Sequence, residues 1–154
     1  MAKYRRCKPG DLFLIRLNDI GIVVELILHT SRLFRDGIIA GFFDCVFDSE
    51  SAIDESQLVT LIAPPNYTAG KMIRDGYWPF YAHRPEMLMR IQRPLLRVVG
   101  AVYDGDQEVM MLPIERFNEY PEALFGGAGA VEKKLTQLVQ SRKQGHQALE
   151  YPDV

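Results

Sequence analysis

Apolar residues gather along this chain in short runs rich in β-branched and aromatic side chains, each bounded by turn-forming residues. Residues 9–17 set Pro-Gly-Asp directly before Leu-Phe-Leu-Ile-Arg-Leu, a turn signal followed by a strand. Asn18-Asp19 then marks a reversal into Gly21–His29, where Ile22, Val23, Val24, Leu26, Ile27 and Leu28 continue the β pattern, predicting an antiparallel hairpin. Asp36-Gly37 introduces a third run, Ile38–Phe47, and Val59–Ala63 is expected as a short fourth strand. Residues 64–86 contain Pro64, Pro65, Pro79, Pro85, Gly70 and Gly76, which oppose a long helix. Tyr67, Tyr77, Trp78, Phe80 and Tyr81 lie in the same stretch, so it is expected to be an ordered loop packed on the sheet, with one helical turn or short strand.

Leu95–Tyr103 and Glu108–Leu112 flank Asp104-Gly105-Asp106-Gln107 and predict a second hairpin. Residues 120–125 predict a short helix, and Gly126-Gly127-Ala128-Gly129 a joint. Val131, Leu135, Leu138 and Val139 recur at helical spacing, so Val131–Lys143 predicts an amphipathic helix. The expected fold is mainly β (α+β). It is a strongly bent antiparallel sheet or partly open small barrel with a C-terminal helix, in one globular domain over residues 1–144 with a frayed tail over 145–154.

A chain of 154 residues can bury roughly 69% of its extended surface, enough for a core without disulfides or metals. At 47% hydrophobic and 25% charged, the composition excludes wholesale disorder. A net charge of −2 argues against a polycationic nucleic-acid coat. Cys7 and Cys45 form no CxxC and read as reduced thiols, with Cys45 a small hydrophobe inside Phe42–Phe47. No signal-peptide apolar region follows the basic N-terminus and no run of apolar residues is long enough to span a bilayer, so a cytoplasmic protein without membrane contact is expected.

Catalytic signatures are scarce. The glycine run lacks the Lys-Ser/Thr ending of a phosphate loop. His29, His83 and His146 show no i,i+3 or i,i+4 pairing, so no metal and no cofactor are expected. No Gly-x-Ser-x-Gly elbow is present, and the reading is of a protein that is not an enzyme. Charge patterning is more informative. Between Asp36 and Gly70 lie Asp36, Asp44, Asp48, Glu50, Asp54 and Glu55 with no lysine or arginine. Lys3, Arg5, Arg6 and Lys8 precede this interval, and Arg84, Arg90, Arg93 and Arg97 follow it. It reads either as a solvated loop or as a negative docking surface for a basic protein. The aromatic and cationic stretch from Tyr77 to Arg84 packs the loop, anchors a partner or stacks bases.

The segment Pro9-Gly10-Asp11-Leu12-Phe13-Leu14-Ile15-Arg16-Leu17, the run Ile20–Leu28, and Ile39–Asp48 with Phe42-Phe43-Asp44 resemble the immunity-protein-26 family of bacterial polymorphic toxin systems. The resemblance covers about the first third and extends loosely to Val98–Pro113; the Asn18–Gly21 reversal and the long aromatic loop depart from the family's pattern. It implies an antidote that binds a cognate toxin domain and blocks its active site or an exosite. Contacts are then expected from Asp44, Asp48, Glu50, Asp54 and Glu55, with Tyr77 or Trp78 as a desolvated anchor. A homodimer through an uncovered edge strand is a further expected assembly. The alternative is a small β-barrel RNA-binding or endoribonuclease-type toxin protein, to which Pro-Gly-Asp and the Arg93–Val99 segment bear a faint likeness.

Overall fold

A computed structural model describes residues 6–34, 36–124 and 126–143. Lys3, Arg5, His146 and the tail expected over 145–154 lie outside them. The chain forms β1 (Asp11–Leu17), β2 (Gly21–Thr30), β3 (Gly37–Phe47), β4 (Asn66–Ala69), the single turn α1 (Lys71–Arg74), and β5 (Phe80–His83). Then come β6 (Leu96–Val98), β7 (Ala101–Asp104), β8 (Gln107–Met111) and α2 (Ala128–Lys143). Two antiparallel sheets result, one in the order β4-β3-β2-β1-β5 and one in the order β6-β7-β8. The fold is mostly β with a C-terminal helix, as the pattern predicts, and neither sheet closes into a barrel.

The central strands bury both faces. On one, Leu12, Leu14, Val24, Leu26, Ile39 and Phe43 pack with Leu58, Met87 and Leu96 from the flanking loops and the small sheet. On the other, Phe13, Ile15, Val23, Ile27 and Ile38 pack against Ile73 of α1, Trp78, and Val131, Leu135 and Val139 of α2. Burial on both faces is why β1 and β2 read as nearly continuous apolar runs rather than as alternation.

Three elements differ from expectation. Val59–Ala63 is not a strand: only an isolated bridge joins Leu61 to Phe43, and the fourth strand is Asn66–Ala69, inside the proline-rich stretch. Leu95–Tyr103 is two strands, broken at Val99-Gly100, where Val99 adopts φ 56°. A β-branched residue in that region is costly, so Val99 reads as strand in the sequence although Gly100 follows it. Residues 120–124 are not helical; Glu122 bridges to Arg97, and the helical turn is a 3₁₀ segment at Ile114–Glu119.

The Pro-Gly-Asp opening has a structural job. Asp11 is fully buried; its Oδ2 accepts from the Lys8 N–H at 3.0 Å and its Oδ1 from His83 Nδ1 at 2.8 Å. Gly10 has φ +92°, and a Cβ there would lie 2.8 Å from Pro85 Cα.

The small sheet is clipped to the large one through its Asp-Gly turn. Asp106 accepts from Ser31 Oγ at 2.6 Å, the Arg32 N–H at 2.7 Å and His29 Nε2 at 3.1 Å. Tyr67 Oη donates to the Gly105 carbonyl at 2.8 Å, and Arg93 Nε to Asp104 at 2.8 Å. Burial pushes the Asp106 carboxyl up, but these donors outweigh it and hold it at about 2. The clip is therefore complete above the ordinary aspartate range and is lost as pH falls through 2. Because Asp106 is partly solvated, Asp106→Ala should cost about 2 kcal/mol in urea unfolding at pH 7, with a smaller loss for Asn. An unchanged midpoint would mean the two sheets dock without the clip.

Candidate functional site

The acidic segment leaves β3 and runs through two 3₁₀ turns, Glu50–Ala52 and Glu55–Gln57, before Leu58 drops into the core. Backbone bonds from Asp44 N to Thr60 O at 2.7 Å and from Ile62 N to Phe42 O at 2.8 Å hold its return path against β3. The five acids separate into two groups. Asp44 is ion-paired with Arg142 of α2, and Glu55 receives Arg84 Nε at 2.7 Å and Nη2 at 3.1 Å. Asp48, Glu50 and Asp54 are exposed and make no ion pair among the described residues. Asp54 caps its own turn, accepting from the Ser56 hydroxyl at 2.6 Å and N–H at 3.0 Å, and these bonds hold its carboxyl below the usual range. The flanking ion pairs fix the segment, and three carboxylates are left facing solvent.

The two aromatic candidates have opposite surroundings. Tyr77 is 71% exposed, whereas Trp78 is 2% exposed and its Nε1 donates to Glu132 of α2 at 3.1 Å. Trp78 is already desolvated inside this chain, so it has no surface to insert into a partner. No described contact joins Tyr77 to the acidic segment.

Basic and nucleophilic candidates are largely committed internally. Arg93 serves the clip, and Arg97 stacks 4.5 Å over the Phe117 ring while donating to the carbonyls of Phe117 and Val99. Burial first, then the charges of Glu25 and Asp11, push the Cys7 thiol up to about 11, so it stays protonated at neutral pH. Burial, and then the Asp54 charge, raise Cys45 as well. Both cysteines are free.

Sequence reasoning named His83 without its partner and missed Glu25 altogether. His83, oriented by buried Asp11 through Nδ1, turns Nε2 away from that carboxylate, the arrangement a general base requires. The partners are 72 positions apart, and no local spacing announces them. Glu25 is fully buried on β2, and neither carboxylate oxygen has a hydrogen-bond partner among the described residues. Among the described residues no group of three or more His, Cys, Asp or Glu side chains is arranged to hold a metal, and no helix is long and apolar enough to cross a membrane. No protein-family model, curated protein or solved structure matches the chain.

Proposed function

We propose that this protein is a cytoplasmic antidote that binds a bacterial toxin domain and neutralises it, with no chemistry of its own. The observation that carries the proposal is the fixed acidic segment: Asp48, Glu50 and Asp54 are exposed while Asp44 and Glu55 are locked by Arg142 and Arg84 at its flanks. Pre-set carboxylates of this kind suit a basic surface such as the nucleic-acid site of a nuclease, because little ordering entropy remains to be lost on binding. The likeness of residues 9–17, 20–28 and 39–48 to the immunity-protein-26 pattern points to the same reading. Tyr77 is retained as an exposed aromatic contact, and Trp78 is withdrawn as an anchor because it belongs to the core. An RNA-cleaving barrel draws less support, since Arg93 and Arg97 are engaged within the chain.

The test is co-expression with a panel of bacterial nuclease toxin domains, scored for one whose growth inhibition the chain relieves and which it binds. The variant Asp48→Lys/Glu50→Lys keeps the Asp54 cap and should melt like the parent. Its association rate should fall about 10- to 100-fold at low salt, the difference shrinking as ionic strength rises, and its growth protection should weaken. Full protection and an unchanged association rate would remove the acidic segment from the interface. No binding by the parent chain would overturn the antidote reading.

A further inference from the structure

Glu25 occupies a polar position on the face of β2 that the helical layer covers. Phe13 and Phe42 flank it on β1 and β3, and Val23 and Ile27 precede and follow it on the same face. α2 touches both β1 and β4, so it crosses over β2 and β3, which lie between them in the sheet. Both Glu25 oxygens are buried and without a hydrogen-bond partner among the described residues. A buried carboxyl with no donor is tolerable in its protonated form, whereas the anion is left with an uncompensated loss of hydration. Burial accordingly raises this carboxyl to about 8. Ionisation therefore calls for water, and only a cover that moves admits it.

The charged groups around this layer are engaged elsewhere. On β1, Asp11 is bonded to His83 of β5, and on β3, Asp44 is paired with Arg142 of α2. On α2, Glu132 accepts from Trp78, while Lys133, Lys134 and Lys143 are exposed. On α1, Lys71 pairs with Asp75 and Arg74 with Asp36. Ahead of β1, the Cys7 thiol stays protonated at neutral pH, raised by burial and then by the Glu25 and Asp11 charges. None of these groups neutralises an ionised Glu25.

The cover itself is lightly fastened. α2 buries three side chains, Val131, Leu135 and Val139, and two polar pins hold it, Trp78 to Glu132 and Arg142 to Asp44. Its connection is a glycine hinge. The Gly126 carbonyl is anchored to β4 by the Ala69 N–H at 3.1 Å and Thr68 Oγ1 at 3.2 Å, whereas a Cβ on Gly127 or Gly129 would meet nothing within 4 Å. The chain is thus fixed up to Gly126 and unhindered from Gly127 onward.

We propose that Glu25 is a proton-operated latch for α2: protonated, it lies dry beneath the closed helix, and ionised, it takes up water as α2 swings away about Gly127. The proton leaves to solvent and the carboxylate is hydrated. Because α2 carries Arg142, the same movement unpairs Asp44, at the root of the acidic segment. The latch stands without the antidote reading, and its test needs no toxin.

Hydrogen exchange of the full chain, followed by mass spectrometry from about pH 5 to 9 and corrected for the intrinsic effect of pH on exchange, tests the latch. The opening constant of α2 should rise about tenfold per pH unit from the ordinary glutamate range up to about 8, and then level off. Over the same range the amides of β2 and β3 should stay more protected than those of α2, because the sheet holds while the helix moves. Glu25→Gln keeps the shape and removes the charge, so α2 exchange in it should not depend on pH. Glu25→Met should behave in the same way, and serves alone where the glutamine variant does not fold. Three results would each overturn the proposal: α2 protection in the parent that is flat with pH, one opening constant shared by α2, β2 and β3 at every pH, or a pH slope that survives removal of the carboxyl.

Discussion

Replacing Glu25 with methionine should raise stability at pH 8 by several kcal/mol and flatten its dependence on pH. Glu25 is completely buried with both oxygens unpartnered among the described residues, and burial alone pushes its carboxyl up to about 8. Below the ordinary glutamate range both folded and unfolded chains hold the proton, and the group's contribution to stability is at its most favourable. As pH rises from there to 8, unfolding releases a proton that the folded chain retains, so stability falls by about 1.4 kcal/mol per pH unit. The accumulated loss is about 5 kcal/mol as an upper figure, and the profile is level above 8. Methionine is close in volume and removes the titration, and its strand neighbours Phe13 and Phe42 give it apolar company. Urea unfolding of both proteins from pH 4 to 9 measures the difference. Parallel curves would show that Glu25 meets water or a partner in solution.

Truncating Trp78 to alanine should have a comparable effect in the opposite direction, a loss of about 3–5 kcal/mol. The indole fills the layer between the large sheet and α2, and its N–H is bonded to Glu132. Trp78→Phe keeps most of the buried area and should cost about 1–2 kcal/mol, chiefly through the lost hydrogen bond and the smaller ring. Tyr77→Ala, one residue earlier and 71% exposed, should stay within about 0.5 kcal/mol. Unfolding midpoints followed by far-UV circular dichroism distinguish the three. A loss under about 1 kcal/mol for Trp78→Ala would mean that α2 does not seal this face.

The acidic segment shows how far composition reaches. Six carboxylates without a cation between positions 36 and 70 are visible in the sequence. That Asp36, Asp44 and Glu55 are paired by Arg74, Arg142 and Arg84 is not visible, because those arginines lie 38, 98 and 29 positions away along the chain. A patch built from distant segments leaves no local spacing to read.

Where local physics decides, the sequence alone determined the outcome. Runs of β-branched residues between Asn18-Asp19, Asp36-Gly37 and Asp104-Gly105 specify hairpins, because those residues accept the backbone angles of a tight turn. The terminal helix follows from apolar spacing, and it starts at Ala128 rather than Val131. Tertiary structure decided what local preference left balanced. Asn66–Ala69 became a strand because β3 offered it an open edge, and Leu95–Tyr103 broke at Val99-Gly100, where Leu96–Val98 folds back to pair with Ala101–Tyr103. Glu25 is the sharpest case. Its alternation in β2 puts it on the face shared by Val23 and Ile27, which would be solvent in a one-sided sheet. Only the docking of α1 and α2 on that face turned an ordinary polar strand position into a buried, unpaired carboxylate.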